Sequence, residues 1–178
     1  MKNSIFKQII WPVLSLTIIC IVVSLALGAT NMVTSAKIQA NLDAVNNAGR
    51  QEVLPDADKF TVVELTQELS DLGVTEAAVA DNGGMVINVQ SKGYGGELPI
   101  MVGFDAGGAI TRIKILDNSE TPGVGKRVEE ESFYGQFSGL QGDISGVNTL
   151  AGATVSSTSV KTSVQNAIAA QKLIGEGA

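Results

Sequence analysis

Three short segments of the sequence combine glycines with polar side chains that could bind an anionic or polar ligand. They are Gly93-Tyr94-Gly95-Gly96, Glu120-Thr121-Pro122-Gly123-Val124-Gly125-Lys126 and Leu150-Ala151-Gly152-Ala153-Thr154-Val155-Ser156-Ser157. Glycine allows the backbone to approach a ligand closely, and loop N–H groups can bind an anion. Each segment alone also fits an ordinary structural role, because glycine and Pro-Gly pairs are turn signals and hydroxyl side chains cap helices.

Thr154 stands out within the third segment because small residues surround its hydroxyl. Gly152 and Ala153 leave that hydroxyl sterically open to a modifying enzyme. A helical pattern follows, and the start of a helix favours a phosphate group because its unpaired N–H groups and its dipole both attract an anion. The same helix is expected to be capped by Ser156, Ser157 or Thr158.

The composition excludes several kinds of site. The chain has no histidine, so the commonest general base and imidazole metal ligands are missing. The one cysteine, Cys20, lies in an apolar run and cannot form a disulfide, a cysteine zinc site or a cysteine-ligated cluster. Residues 38–178 hold 9 basic and 18 acidic residues, which argues against nucleic acid as a partner. No catalytic residue and no metal ligand is therefore predicted.

The elements that must position these segments begin with a membrane span. Residues 9–29 carry no charge, and 21 residues at about 1.5 Å each match a bilayer core of roughly 30 Å. Lys2 and Lys7 precede the run, whereas Lys37 is the first charge after it. The positive-inside rule then keeps the N-terminus cytoplasmic and places the remainder outside the cytoplasm.

A stalk helix is predicted after the span, with Gly49 as its C-cap. A second short helix is expected to open at Pro55 and Asp56 and to end near Leu72-Gly73. The middle of the chain reads as antiparallel strands, and an Asn82-Gly83 pair predicts a two-residue hairpin turn. The predicted strands are Ala77–Ala80, Met85–Gln90, Leu98–Phe104 and Ile110–Leu116.

Two further patterns complete the predicted fold. Isoleucines alternate with Arg112 and Lys114 in the last strand, which indicates one buried and one solvated face. From Ser156 the apolar residues recur at helical spacing. The predicted fold class is α+β: a single N-terminal transmembrane helix, a twisted antiparallel sheet and covering helices.

The segments and their order along the chain resemble those of a known protein family. Gly152-Ala153-Thr154-Val155-Ser156 is similar to the flavinylation motif of FMN-binding domains, usually Ser or Thr, then Gly-Ala-Thr, any residue, and Ser or Thr. A span, a Gly-Tyr-Gly-Gly turn, a Glu-Thr-Pro-Gly-x-Gly loop and this motif resemble the G subunit of the Rnf ion-translocating electron-transport complex. The C subunit of the sodium-pumping NADH–quinone reductase is a more distant resemblance. Ala151 stands where the family usually has Ser or Thr, and Asn148 where Asp is common.

The resemblance implies that Thr154 carries one FMN, joined through its oxygen to the FMN phosphate. A separate Mg-dependent flavin transferase would form this bond with FAD as the donor. The other residues implied to contact FMN are Gly152, Ala153, Ser156, Glu120, Thr121, Gly123, Gly93 and Tyr94. The implied function is electron relay between reduced ferredoxin and NAD with other membrane subunits, coupled to export of Na⁺ or H⁺.

Four regions follow from these predictions. Residues 1–8 form a cytoplasmic N-terminus, residues 9–30 a transmembrane helix, residues 31–73 a stalk and helical lead-in, and residues 74–178 an extracytoplasmic FMN-binding domain.

Two other functions remain open at this point. A stand-alone flavinylated electron carrier of the cell envelope would work without multi-span partners and purify as a monomer. A non-redox binding or assembly module of the same fold would be colourless, with Thr154 unmodified.

Overall fold

The computed structural model describes residues 10–176, with the side chains of residue 33 and residues 36–45 outside the description. The chain divides into two units, Met1–Val45 and Asn46–Ala178. The predicted cytoplasmic residues 1–8 lie outside the described residues.

The first helix, α1, runs from Trp11 to Val53. Its segment Trp11–Met32 has a mean hydropathy of 2.4 and is long and apolar enough to cross a membrane by length and composition. Pro12 is the second residue of this α-helical range. The predicted N-terminal apolar helix is confirmed, while the proposed region boundaries stay predictions.

The predicted end of the stalk helix at Gly49 is wrong, because α1 continues for four more residues. Gly49 is buried, and a Cβ at this position would lie 3.1 Å from the Met101 Cε. Val53 and Leu54 beyond it are almost fully buried. Tertiary packing of this last turn therefore outweighs the preference of glycine for a helix end.

The helix predicted from Pro55 to Leu72 is also wrong. Strand β1 (Phe60–Val63) and the five-residue helix α2 (Gln67–Asp71) occupy this segment instead. Phe-Thr-Val-Val is rich in residues that favour strands, and it pairs with the strand that follows α2. Thr66 caps α2 by accepting a 3.4 Å hydrogen bond from the Leu69 N–H.

The remaining elements confirm the α+β class. The other strands are β2 (Val74–Ala80), β3 (Met85–Lys92), β4 (Glu97–Phe104) and β5 (Ile110–Ile115). All neighbouring strands pair antiparallel in the order β1-β2-β3-β4-β5. The later helices are α3 (Glu131–Tyr134) and α4 (Thr154–Glu176), with 3₁₀ turns at Gly125–Glu129 and Gly135–Phe137.

The β2–β3 hairpin is present, but its turn has three residues, not the predicted two. The Gly83 N–H donates to the Ala80 carbonyl, and Gly83 has a φ of 84°. Asn82 has a negative φ, and its side chain accepts from the Gly84 N–H and donates to the Asp56 carbonyl. A type I turn followed by a left-handed glycine matches strand twist as well as the predicted turn does.

The sheet has apolar residues on both faces. Helix α4 packs mainly on β3 and β4 and covers the larger core. A smaller cluster on the opposite face contains Val53, Leu54, Ala57, Ala80, Val86 and Met101. The solvated face predicted for the last strand is therefore covered in part, as the Thr111 hydroxyl donates to the Val53 carbonyl across it.

A partly buried ion pair fixes the last turns of α1 to this second face. Arg50 is 6% exposed, and its Nη2 donates to Glu76 Oε1 on β2 at 2.5 Å. Arg50 Nη1 donates to Asn47 Oδ1 at 2.7 Å, and the guanidinium lies 6.0 Å from the Phe60 ring centroid. These polar and aromatic partners offset part of the cost of removing the guanidinium from water, although its buried Nε has no hydrogen-bond partner among the described residues.

We expect Arg50→Ala to lower the free energy of unfolding by about 3 kcal/mol, because it leaves the Glu76 carboxylate without its cation. Urea denaturation of the full chain in detergent, followed by circular dichroism, measures the loss. Lys114→Ala is the control, since Lys114 forms an exposed pair with Glu52 and such pairs contribute about 0.5 kcal/mol. Equal losses in the two variants would contradict the structural importance of the Arg50 pair.

Candidate functional site

One pocket draws residues from all three glycine-containing segments. Its volume is about 470 Å³, within the range of roughly 300–1,000 Å³ that is usual for small-ligand sites. The lining residues are Tyr94, Glu120, Thr121, Val124, Gly125, Gly152, Ala153, Thr154, Val155 and Ser156. The fold therefore brings together residues as far apart in the chain as Tyr94 and Ser156.

The first wall is the tight turn that joins β3 to β4. The Gly93 N–H donates to the Gly96 carbonyl at 2.7 Å, and Gly96 has a φ of 148°. This closes the turn and leaves Tyr94 75% exposed at its tip. The turn predicted here is confirmed.

The second wall is the loop that follows β5. The Val124 N–H donates to the Thr121 carbonyl at 3.2 Å, and Gly123 has a φ of 73°. A positive φ at the third residue, directly after Pro122, is what a type II turn requires, so the turn indicated by the Pro-Gly pair is confirmed as this type. The Glu120 N–H donates to Asn118 Oδ1, which helps to turn the chain inward before this loop.

The third wall is the turn that leads into α4. The Ala153 N–H donates to the Leu150 carbonyl at 3.0 Å, with Gly152 at a φ of 83°. The helix then starts at Thr154, two residues earlier than predicted. Ser157 does not cap the first turn as expected, because its hydroxyl donates to the Ala153 carbonyl and accepts from the Leu150 N–H.

The Glu120 carboxylate joins the three walls behind the pocket. Its Oε1 accepts hydrogen bonds from the Tyr94 N–H at 2.8 Å and the Gly95 N–H at 3.0 Å. Its Oε2 accepts from the Ser156 hydroxyl at 2.5 Å. Glu120 is 3% exposed and Ser156 is 2% exposed. A buried carboxylate is costly unless it is fully hydrogen-bonded, and these three donors meet that requirement.

Burial and hydrogen bonding act in opposite directions on the pKa of Glu120, and the net result is a lowered pKa. Burial, the largest single effect, raises the pKa because it disfavours the charged form. The hydrogen bonds from Ser156, Gly95 and Tyr94 together outweigh burial and bring the pKa below its ordinary value of 4.5. The carboxylate is therefore ionised at neutral pH.

Glycines surround this carboxylate because larger side chains would displace it. A Cβ at Gly93 would overlap Glu120 Oε1, and a Cβ at Gly125 would overlap Oε2 and lie 3.0 Å from the Ser156 hydroxyl. A Cβ at Gly95 would meet the Ser119 carbonyl. These glycines are explained by close packing around Glu120, with no need for flexibility.

The front of the pocket is open and partly apolar. Thr154 is exposed, and Tyr94, Val124 and Val155 present exposed apolar surface around it. The first backbone hydrogen bond of α4 comes from the Ser157 N–H, so the N–H groups of the three residues before it have no partner within the helix. An apolar ring and an anionic group can thus both find suitable surfaces here.

A second groove meets the pocket at Thr154. It has a volume of about 440 Å³, and Lys92 is the one charged residue in its lining. The other lining residues are Ser91, Thr154, Val155, Thr158, Ser159 and Thr162. The Thr154 side chain can therefore be approached from two sides.

Most of the predicted site residues line the pocket. Gly93 and Gly123 do not, since the first packs behind Glu120 and the second shapes the type II turn. The pocket also contains Val124, Gly125 and Val155, which the prediction did not name although they lie inside the predicted segments. Their neighbours suggested the location, but no sequence signal shows which way a valine side chain will point.

The match to one protein-family model covers this location. Residues 93–169, which include the entire pocket lining, match the model of the FMN-binding domain family. The chain is 27% identical over 177 residues to the G subunit of the proton-translocating ferredoxin:NAD(+) oxidoreductase complex of Clostridium ljungdahlii, covering 94% of this chain and 91% of the relative. It is 34% identical over 139 residues to the G subunit of the Na(+)-translocating ferredoxin:NAD(+) oxidoreductase complex of Acetobacterium woodii, covering 67% of each. A crystal structure of NqrC from Shewanella oneidensis aligns with a TM-score of 0.45 at 17% identity, covering 59% of this chain and 62% of that chain.

We expect Gly125→Ala to destabilise the protein by about 1–3 kcal/mol, because the added methyl group must displace the Glu120 carboxylate or the Ser156 hydroxyl. Gly146→Ala is the matched control, since a Cβ at Gly146 meets nothing within 4 Å. Urea denaturation compares the two variants, and a Gly125→Ala variant as stable as the control would contradict the close packing described.

The pKa of Glu120 predicts a loss of stability in acid. Because the pKa is lower in the folded chain, the ionised carboxylate favours folding above the unfolded pKa of about 4.5. That contribution is lost as the pH falls through the folded pKa. We therefore expect the difference in melting temperature between wild type and Glu120→Gln to be constant above about pH 4.5 and to shrink as the pH falls below that value through the folded pKa.

Asp143→Asn is the control for this acid effect. The pKa of Asp143 is also lowered, by hydrogen bonds from the Ser145 N–H and hydroxyl, but Asp143 lies away from the pocket lining. This variant should keep the acid dependence that comes from Glu120. Parallel melting curves for wild type and Glu120→Gln across the pH range would refute the assignment.

Proposed function

The chain belongs to the family of G subunits of ion-translocating oxidoreductase complexes, and on this premise we propose that it is a membrane flavoprotein with one FMN bound covalently to Thr154. The observation that carries the proposal is the position of Thr154: an exposed hydroxyl at the first residue of α4, in a pocket formed by all three glycine-containing segments. Its role is to relay electrons within a larger membrane complex.

The residues present fit FMN. The exposed surfaces of Tyr94, Val124 and Val155 suit a planar aromatic ring, and the partnerless N–H groups at the start of α4 suit a phosphate. Thr121, Gly152 and Ala153 also line the pocket. When bound, FMN supplies the electron-transfer chemistry, while the protein holds it and adjusts its environment.

Attachment of FMN to Thr154 requires a second protein. The Thr154 Oγ–phosphorus bond would form as the pyrophosphate bond of FAD breaks; AMP leaves, and the threonine proton passes to a base. The Glu120 carboxylate is already engaged by Ser156 and two backbone N–H groups, and the chain has no histidine. A weak nucleophile such as threonine needs an activating base, so we assign that base to a Mg-dependent flavin transferase.

The proposed location follows from the candidate span and the family. The segment Trp11–Met32 supports membrane localisation, and its flanking lysines favour a cytoplasmic N-terminus and an extracytoplasmic FMN domain. Two relatives are named as subunits of ferredoxin:NAD(+) oxidoreductase complexes, one proton-translocating and one Na(+)-translocating. We propose that this chain likewise passes electrons between neighbouring subunits of such a complex, with ion passage left to other subunits.

We expect Thr154→Val to abolish covalent flavin while the fold is retained, because valine has nearly the same shape but no hydroxyl oxygen. Thr158→Val is the matched control, since Thr158 is also exposed, lies one helical turn further along α4 and does not line the pocket. Intact mass and peptide mapping of protein purified from its native membrane measure the result. Wild type and the control should gain one FMN less one water on the Thr154 peptide.

Two outcomes would contradict the proposal. Covalent flavin retained in Thr154→Val would refute the attachment site. An unmodified wild type, purified from cells that contain the transferase, would favour a non-redox assembly module of the same fold. Copurification with multi-span subunits separates the complex from a stand-alone carrier, which would be recovered as a monomer.

A further inference from the structure

Glu120 is the only charged side chain among the residues that line the pocket. It is 3% exposed, and its partners are the Ser156 hydroxyl and the N–H groups of Tyr94 and Gly95. All three partners are neutral. Within residues 10–176 no lysine or arginine forms an ion pair with this carboxylate. The pocket wall thus contains a negative charge that dipoles stabilise but no cation neutralises.

The two cations of the adjacent 3₁₀ turn are paired with other groups. Lys126 Nζ lies 3.4 Å from Glu129 Oε1, and Arg127 Nε lies 3.8 Å from Glu130 Oε1. Arg127 Nη1 also donates to the Ala151 carbonyl at 3.1 Å. Because each of these cations has its own carboxylate, the turn contributes little positive potential to offset Glu120.

We propose that the Glu120 carboxylate lowers the reduction potential of the redox group held in this pocket. The inference rests on the proposed function, since it requires a flavin at Thr154. When a one-electron donor reduces the flavin, the donor loses one electron and the flavin gains one. A fixed negative charge in the pocket wall opposes that gain, because like charges repel more strongly in a partly desolvated site than in water.

An effect on the reduction potential explains why position 120 is a carboxylic acid and not an amide. A neutral glutamine could accept from the Tyr94 and Gly95 N–H groups through its carbonyl oxygen and donate to the Ser156 oxygen, but it brings no charge. A carboxylate satisfies all three donors and also biases the occupant toward its oxidised form. Positioning and tuning of the potential are thus both properties of one buried side chain.

The expected effect is large enough to measure. Two unit charges about 12 Å apart at an effective dielectric constant of about 20 change an equilibrium constant about tenfold. For a one-electron couple, tenfold corresponds to ~59 mV. Glu120→Gln should therefore raise the potential of the bound flavin by an amount of this order.

The experiment is a spectroelectrochemical titration of full-length protein in detergent, coexpressed with a flavin transferase. Mass spectrometry first establishes covalent FMN in each sample. Ser156→Ala removes one hydrogen bond but keeps the Glu120 charge, so its potential should not rise. Glu131→Gln removes an exposed carboxylate outside the pocket and should leave the potential at the wild-type value.

The outcomes separate the inference from the proposed function. A wild type without FMN at Thr154 would overturn the proposed function, and the inference with it. A flavinylated Glu120→Gln protein with unchanged or lowered potential would overturn the inference alone. An equal rise in Ser156→Ala would also overturn it, since the cause would then be the geometry of the hydrogen bonds.

A second pair of variants covers the case in which Glu120→Gln fails to fold or to receive flavin. Val124 is 47% exposed in the pocket wall, so Val124→Lys adds a cation close to Glu120, and Val124→Gln adds a neutral side chain of similar reach. If the uncompensated carboxylate controls the potential, the lysine variant should have the higher potential of the two. Equal potentials would overturn the inference.

Discussion

A charge buried among neutral groups is the constraint on which the site depends. Removing the Glu120 carboxylate from water disfavours its ionised form, so the fold must provide donors in fixed positions. Two come from the backbone of the turn between β3 and β4, and one comes from Ser156 on α4. Since these donors lie on separate segments, satisfying one carboxylate also determines how the three walls of the pocket meet.

The same arrangement gives two hydroxyl residues of α4 different roles, one in packing and one in ligand attachment. Successive residues of a helix are about 100° apart, so Thr154 and Ser156 point to sides about 200° apart. Ser156 is buried and bonded to Glu120, whereas Thr154 is exposed at the meeting point of the pocket and the second groove. The buried Ser156 hydroxyl thus helps to hold the start of α4 in place, while the Thr154 hydroxyl stays accessible. Attachment of FMN by a separate enzyme requires this access.

The sheet supports this site because both of its faces are covered. On one face α4 packs against β3 and β4, so the start of α4 is held beside the β3–β4 turn. On the other face, residues 46–57 pack over the sheet with the Arg50–Glu76 ion pair among them. The glycine turn therefore extends from two strands that are restrained from both sides, and the position of Tyr94 does not depend on a mobile loop.

The sequence by itself determined the N-terminal apolar helix, four of the five strands, the type II turn and the three segments that form the pocket, because length, alternation and glycine–proline signals are local. It did not determine β1, the extension of α1 past Gly49 or the start of α4 at Thr154. The first two depend on pairing or packing with residues that are distant in the chain, and the third follows a turn that Ser157 stabilises through Leu150 and Ala153. The sequence also did not determine the role of Glu120. Its position before a turn gave no sign that it would be buried and hydrogen-bonded to two other segments. Only the tertiary structure decides this, because the desolvation of a carboxylate and the donors that offset it exist only after the three segments have come together.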